Sequence, residues 1–346
     1  MSPALVAPGA PTNVHATKTA SGVKVTWTAP VSDGGTAITG YTVTTSPGGK
    51  TVNVNGSTLT ATIAGLTPGT YTFKVRAANS VGNGAFSSPS NAVSIVAANT
   101  ARVGYWMLGS DGHVYGFGDA KNLGSASGGA AAITSRLDGK GYWVVDGKGN
   151  VKAFGTAANF GGKPSLLAGE RVSAISATPS GNGYWLFTNL GRAFAFGGAK
   201  FFGDMRGTHL NGGVIASAAT ATGKGYYMVG SDGGVFSFGD AKFHGSTGNM
   251  KLNKPVVGIS PTPDNQGYWL VASDGGVFAF HAPFRGSMGN KHLNKPVNGL
   301  VAFGNGYLMV ASDGGVFDFS NKPFLGSLGG HPPAAPIIGI TAFATS

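Results

Sequence analysis

The chain has 346 residues, 42% hydrophobic and 11% charged, with 60 glycines and no cysteine. That composition excludes a charged disordered chain and any disulfide or thiolate metal site, and no Gly-X-Y period indicates collagen. The net charge of +11 comes from scarce acids, 13 Asp plus Glu against 24 Lys plus Arg with no basic block, so weak attraction to anionic surfaces is expected and specific nucleic-acid recognition is not.

Residues 1–8 read as an N-terminal tail. The start "MSPALVAPGAP" lacks a basic n-region and a long apolar h-region, so it reads as a mature or recombinant start that leaves export open. No apolar run approaches the roughly 20 residues of a membrane-crossing helix, so membrane insertion is not expected.

Residues 9–98 carry a β-sandwich pattern without an internal repeat. "GVKVTWTAP" alternates apolar and polar, "ITGYTVTTSPGG" follows a turn-rich segment, and "TLTATIAGLTPGTYTFKVRAANSVGNGAFS" holds two further strands and a Gly/Asn hairpin. Trp27, Tyr41, Leu66, Pro68, Tyr71 and "VRAANSVGNG" resemble the framework of a fibronectin type III domain. The stretch from Leu66 to Tyr71 is one residue shorter than that family's usual form. The resemblance implies a spacer or protein-contact module, and the lack of an Arg-Gly-Asp triplet removes support for integrin-type adhesion. "VAANTARV" leads directly into the second part, residues 101–346.

There a Gly-Tyr pair recurs at Gly104, Gly141, Gly183, Gly225, Gly267 and Gly306, at spacings of 37, 42, 42, 42 and 39 residues. Seven residues after each glycine stands a turn position: Asp111, Lys148, Leu190, Asp232, Asp274 and Asp313. An aromatic-x-aromatic strand follows in five units, and then a segment such as "AKFFG", "AKFHG" or "APFRG". Each unit is expected to be strand, Asp-Gly hairpin, strand, bend and a short fourth strand. Before each of the last five units lies a strand rich in β-branched and small residues, from "AAAIT" to "VNGLV"; a sixth, "IIGIT", has no unit after it. Small residues suit the crowded innermost strand around an axis. The register predicts an all-β chain: the sandwich, then a six-bladed β-propeller whose C-terminal strand completes the first blade. A seven-bladed ring is the alternative, but it needs a blade that the sequence does not supply.

In such an architecture both aromatics of "GYW" are expected to pack between blades, and each Asp to cap its turn. The turn loosely resembles the Asp-box hairpin of sialidase-type propellers, without that motif's spacing. Little chemistry remains. The single glutamate is Glu170, the repeated aspartates fall on separate blades, and the seven histidines form no His-x-x-x-His pair. No nucleophile elbow, phosphate loop or dinucleotide fingerprint occurs. No catalytic residue, metal or cofactor is therefore expected; a hydrolase using unrecognised acids is the last alternative.

Binding is better supported. The connections "MKLNKPV" and "KHLNKPV" are expected beside the Asp-Gly turns, making a face of Asp232, Asn253, Lys254, Asp274, Asn294, Lys295 and Asp313. Alternating amide, ammonium and carboxylate groups suit hydroxyl-rich ligands, although Asn-Lys-Pro also reads as a solvated linker stiffened by proline. A six-bladed lectin plan with Arg, Glu and Trp in every pocket is not matched. "GYWLVASDGGVFAF" and "GYYMVGSDGGVFSFGDAKFHGSTG" are similar to repeats of exported actinobacterial proteins, where they accompany fibronectin type III or cell-wall-acting domains. The resemblance implies a secreted or cell-surface binding or scaffold protein. Its expected partner is cell-wall or extracellular polysaccharide, or alternatively another protein.

Overall fold

The computed structural model describes residues 4–19, 21–96 and 102–345, so the junction expected at residues 98–101 lies outside the described residues. The chain divides into two compact units, Met1–Asn99 and Thr100–Ser346. Every regular element among the described residues is a β-strand.

In the first unit, β1 (Thr12–Thr19), β2 (Gly22–Thr28) and β5 (Thr60–Ile63) form one sheet. The other runs β4-β3-β6-β7, from β3 (Gly40–Ser46), β4 (Thr51–Asn55), β6 (Gly69–Ala78) and β7 (Val93–Ile95). The period-2 pattern of "GVKVTWT" buries Val23, Val25 and Trp27 and turns Lys24 outward. Trp27 and Tyr41 meet in the core with ring centroids 5.3 Å apart. Despite the shortened segment before it, Tyr71 donates its hydroxyl to the Thr67 carbonyl at 3.1 Å, so the corner closes over four residues.

The second unit contains six three-stranded antiparallel sheets. The first joins β25 (Ile337–Ala344) to β8 (Val103–Gly109) and β9 (Val114–Gly118), so the last strand of the chain pairs with the first strand of the unit. The second holds β10 (Ala132–Ser135), β11 (Gly141–Val145) and β12 (Val151–Gly155), and the third β13 (Val172–Ala177), β14 (Gly183–Thr188) and β15 (Ala193–Gly197). The fourth holds β16 (Val214–Ala219), β17 (Gly225–Gly230) and β18 (Val235–Gly239). The fifth holds β19 (Val256–Pro261), β20 (Tyr268–Ala272) and β21 (Val277–Phe280), and the sixth β22 (Val297–Phe303), β23 (Gly306–Ala311) and β24 (Val316–Phe319).

The leading strands β10, β13, β16, β19, β22 and β25 each approach the leading strands of the sheets before and after, including β25 with β10. Two residues of β10 and three from each of the other five line a narrow central space of about 140 Å³, among them Ala216, Gly258, Gly299 and Gly339. The Ser135 and Thr341 hydroxyls meet at 2.8 Å, linking the second sheet to the first.

One expectation is corrected. The segment after each third strand is not a fourth strand; it makes no ladder and is held by side chains instead. The Trp of the Gly-Tyr-Trp motif donates its indole N–H to it within the same sheet: Trp106 to Lys121 O at 2.8 Å, Trp185 to Lys200 O at 2.7 Å, Trp269 to Pro283 O at 2.9 Å. Tyr227 does the same for Lys242 at 3.2 Å. The motif's Tyr reaches the segment of the preceding sheet: Tyr226 to Gly203 O, Tyr268 to Gly245 O, Tyr307 to Gly286 O and Tyr105 to Gly326 O, each at 2.5 Å. The Tyr105 contact again joins first sheet to last. These tyrosine and tryptophan rings are buried throughout the six sheets, so the aromatic pair is packing and backbone clamp together.

The clamped glycine has a steric reason. Gly286 has φ 127°, and a Cβ there would lie 2.5 Å from the Phe319 ring of the next sheet; Gly245 repeats this with φ 126° and Phe280 at 2.6 Å.

Candidate binding cleft

The Asp-Gly-Gly turns are set by one capping bond and one left-handed glycine. The Oδ1 atoms of Asp232, Asp274 and Asp313 each accept the N–H two residues on, from Gly234, Gly276 and Gly315, at 3.0 Å. Only the first glycine of each pair is left-handed, Gly233 at 81°, Gly275 at 80° and Gly314 at 78°.

The connections lie against these turns. Pro255 O accepts Ser273 N–H at 2.9 Å while Val256 N–H donates to Ser231 O at 2.9 Å, so Asn253-Lys254-Pro255 sits between two successive turns. Pro296 and Val297 repeat the pattern with Ser312 and Ser273, both at 2.9 Å, carrying Asn294 and Lys295 to the turn of Asp313. Asn253, Lys254, Asn294 and Lys295 are all exposed.

The seven expected residues therefore do not form one site. Asn253, Lys254 and Asp274 share a cleft of about 240 Å³, also lined by Phe278, Phe284 and Asn290. Asp313 with Asn294 and Lys295, and Asp232, stand at the equivalent positions of the neighbouring sheets. Asp274 uses one oxygen on its own turn, and its other oxygen takes no protein donor among the described residues. The cleft thus offers an ammonium, a carboxylate oxygen, two amides and two aromatic rings, a set able to hold hydroxyls and the apolar face of a ring at once.

Phe284, 60% exposed, escaped the sequence reading although its signal was present: it is the third residue of the repeated segment "APFRG". A second cleft, about 810 Å³, opens at the opposite ends of the fifth, sixth and first sheets. It has an apolar floor of Phe303 and Phe343 and a rim carrying Asp264, Arg285 and Lys322, which no sequence motif brings together.

Two polar clusters have structural explanations. Glu170 is buried and accepts from the Thr188 hydroxyl at 2.5 Å, Leu167 N–H at 2.8 Å and Arg192 Nη1 at 2.7 Å. Burial opposes its charge, but these hydroxyl, backbone and guanidinium partners outweigh burial and hold its pKa below the ordinary Glu range. His244 and His281, one from each of two successive sheets, stack with ring centroids 5.1 Å apart. Burial, then the His281 and Lys242 charges, push the His244 pKa down. Among the described residues no group of three or more His, Cys, Asp and Glu side chains is arranged to hold a metal ion.

Comparison with known proteins bears on the first unit. A structure of titin kinase with its flanking domains is 30% identical over 26% of this chain and 17% of that one, with a TM-score of 0.23. A crystal structure of titin domains is 29% identical over 26% of this chain and 33% of that one, with a TM-score of 0.24. This chain thus matches a third or less of the length of either structure. The family model of the fibronectin type III domain matches residues 9–93. Residues 9–93 are a fibronectin type III domain.

Proposed function

We propose that the second unit is a six-bladed β-propeller closed by its C-terminal strand, and that the protein is a non-catalytic, secreted or cell-surface binding scaffold. The face carrying the Asp-Gly turns and Asn-Lys-Pro connections binds cell-envelope polysaccharide. The observation that carries the reading is the cleft in which Asn253, Lys254 and Asp274 converge beside Phe278 and Phe284. Hydroxyl-rich ligands need convergent polar groups next to apolar ring faces, and the sixth sheet carries the same residue types in Asn294, Lys295, Asp313 and Phe324. A fibronectin type III domain in front of it suits a spacer.

Co-sedimentation with purified Gram-positive cell walls tests this. Binding that persists at moderate salt, is competed by a defined sugar and weakens in N253A/K254A supports the reading. Binding abolished by moderate salt reduces it to the +11 charge. Absence of binding at both salts overturns it in favour of a protein partner.

A further inference from the structure

The segment after each third strand is the least regular part of the repeat, yet its third residue follows a rule. In the first two sheets it is Asn122 and Asn159, whose Oδ1 atoms accept Gly124 N–H at 3.0 Å and Gly161 N–H at 2.9 Å. In the next four it is Phe201, Phe243, Phe284 and Phe324, exposed by 55, 59, 60 and 58%. Four large apolar rings open to solvent at one repeated position are not scattered surface hydrophobics; they make an arc over four consecutive sheets.

The arc is rigid. Beside Phe201, the Trp185 indole holds Lys200 O at 2.7 Å, and the Tyr226 hydroxyl accepts Phe202 N–H at 3.3 Å and donates to Gly203 O at 2.5 Å. Tyr227 with Tyr268 brackets Phe243, and Trp269 with Tyr307 brackets Phe284, in the same way. Buried aromatics therefore fix the backbone under exposed ones, so ordering the rings on binding costs little.

Phe201 and Phe243 each follow an exposed lysine, Lys200 and Lys242, and Phe284 shares its cleft with the exposed Lys254, whereas Arg285 and Lys322 line the opposite cleft, where Arg285 Nε donates to Asn305 O at 3.1 Å. Two nearby acids are engaged, Asp204 with Arg206 at 3.2 Å and Asp240 with the Thr220 hydroxyl at 2.8 Å, while Asp274 in the Phe284 cleft sits beside Lys254. Phe284 in addition lines the cleft of Asn253, Lys254 and Asp274, which ties the arc to the candidate site.

We infer that this arc is the main contact surface for an acidic polysaccharide, the phenylalanines packing on sugar rings while Lys200, Lys242 and Lys254 meet carboxylates. A polymer with a repeating apolar face and repeating negative charge matches a surface that repeats an exposed ring in four sheets and sets a lysine near three of them, and engagement at several sheets multiplies weak contacts into avidity. The inference rests on the polysaccharide reading above and names its ligand class and its missing residues.

The test compares the full chain with F201A/F243A/F284A/F324A for binding to polygalacturonate and to neutral dextran at moderate salt, alongside sedimentation velocity. The exposed positions leave folding intact, which circular dichroism checks. The expected result is binding to polygalacturonate but not dextran, at least tenfold weaker in the variant, with the sedimentation coefficient unchanged. Equal binding by both proteins overturns the arc and leaves the polysaccharide reading standing. Preference for dextran overturns the acidic ligand alone. If neither polymer binds and the substitutions change the sedimentation coefficient, both readings fall and the arc joins copies of this chain.

Discussion

The tyrosine of each Gly-Tyr pair shows how much one hydroxyl can organise. Burial pushes Tyr226 and Tyr105 up to about 12, so both stay protonated donors across the working pH range. Tyr226→Phe removes a donor from Gly203 O and an acceptor from Phe202 N–H. The expected loss is about 1–3 kcal/mol in urea unfolding, because buried partners are left unmade. Glu170→Gln tests the other dense cluster. Glu170 is depressed in the folded state, so its contribution is complete above the unfolded pKa, about 4.3, and fades as pH falls through the lower folded value. The substitution is expected to cost about 2–4 kcal/mol near pH 7 and much less near pH 3, measured by denaturant midpoints at both pH values. His244 gives the same direction for a different reason, since burial and neighbouring positive charge disfavour its protonated form. Its pKa is lowered on folding, so stability should decline as pH drops below about 6.5, and His244→Gln should flatten that decline.

At the scale of elements, the clamped segments are the sharpest test of the packing. Gly286→Ala places a methyl group 2.5 Å from the Phe319 ring at a φ of 127°. Overpacking and backbone strain together predict a loss of about 2–4 kcal/mol in thermal or urea unfolding. The strands themselves were legible in the sequence, because alternation in the sandwich and the 42-residue spacing of Gly-Tyr pairs are direct records of burial. The fourth segment was not, since "AKFHG" has the β-propensity of a strand while its partners are phenol groups from 15 to 24 residues away. The candidate cleft was legible in part. Asn253, Lys254 and Asp274 follow from knowing which turn lies beside which connection. Phe284 follows only once one knows that its neighbours, and not the ring itself, are buried.

For the whole molecule, the decisive contacts are those between the end of the second unit and its beginning. The structure ties late residues of the unit to early ones three ways: β25 pairs with β8 inside the first sheet, Tyr105 of that sheet clamps Gly326 beyond the sixth, and Thr341 of β25 meets Ser135 of the second. These contacts have long sequence separation, so the unit's stability should depend on its final strand out of proportion to that strand's length. The histidine pair and the separate clefts show a further limit of sequence reading. Spacing says that repeats exist, but which side chains converge across two of them depends on the twist and approach of adjacent sheets. The most direct measurement is thermal unfolding, followed by tryptophan fluorescence, of the full chain against one ending at residue 336. A ring completed by β25 predicts that the shortened chain loses the cooperative transition of the second unit, or melts far below the full chain, while the fibronectin type III domain unfolds as before. An unchanged transition of the second unit would contradict closure by the C-terminal strand.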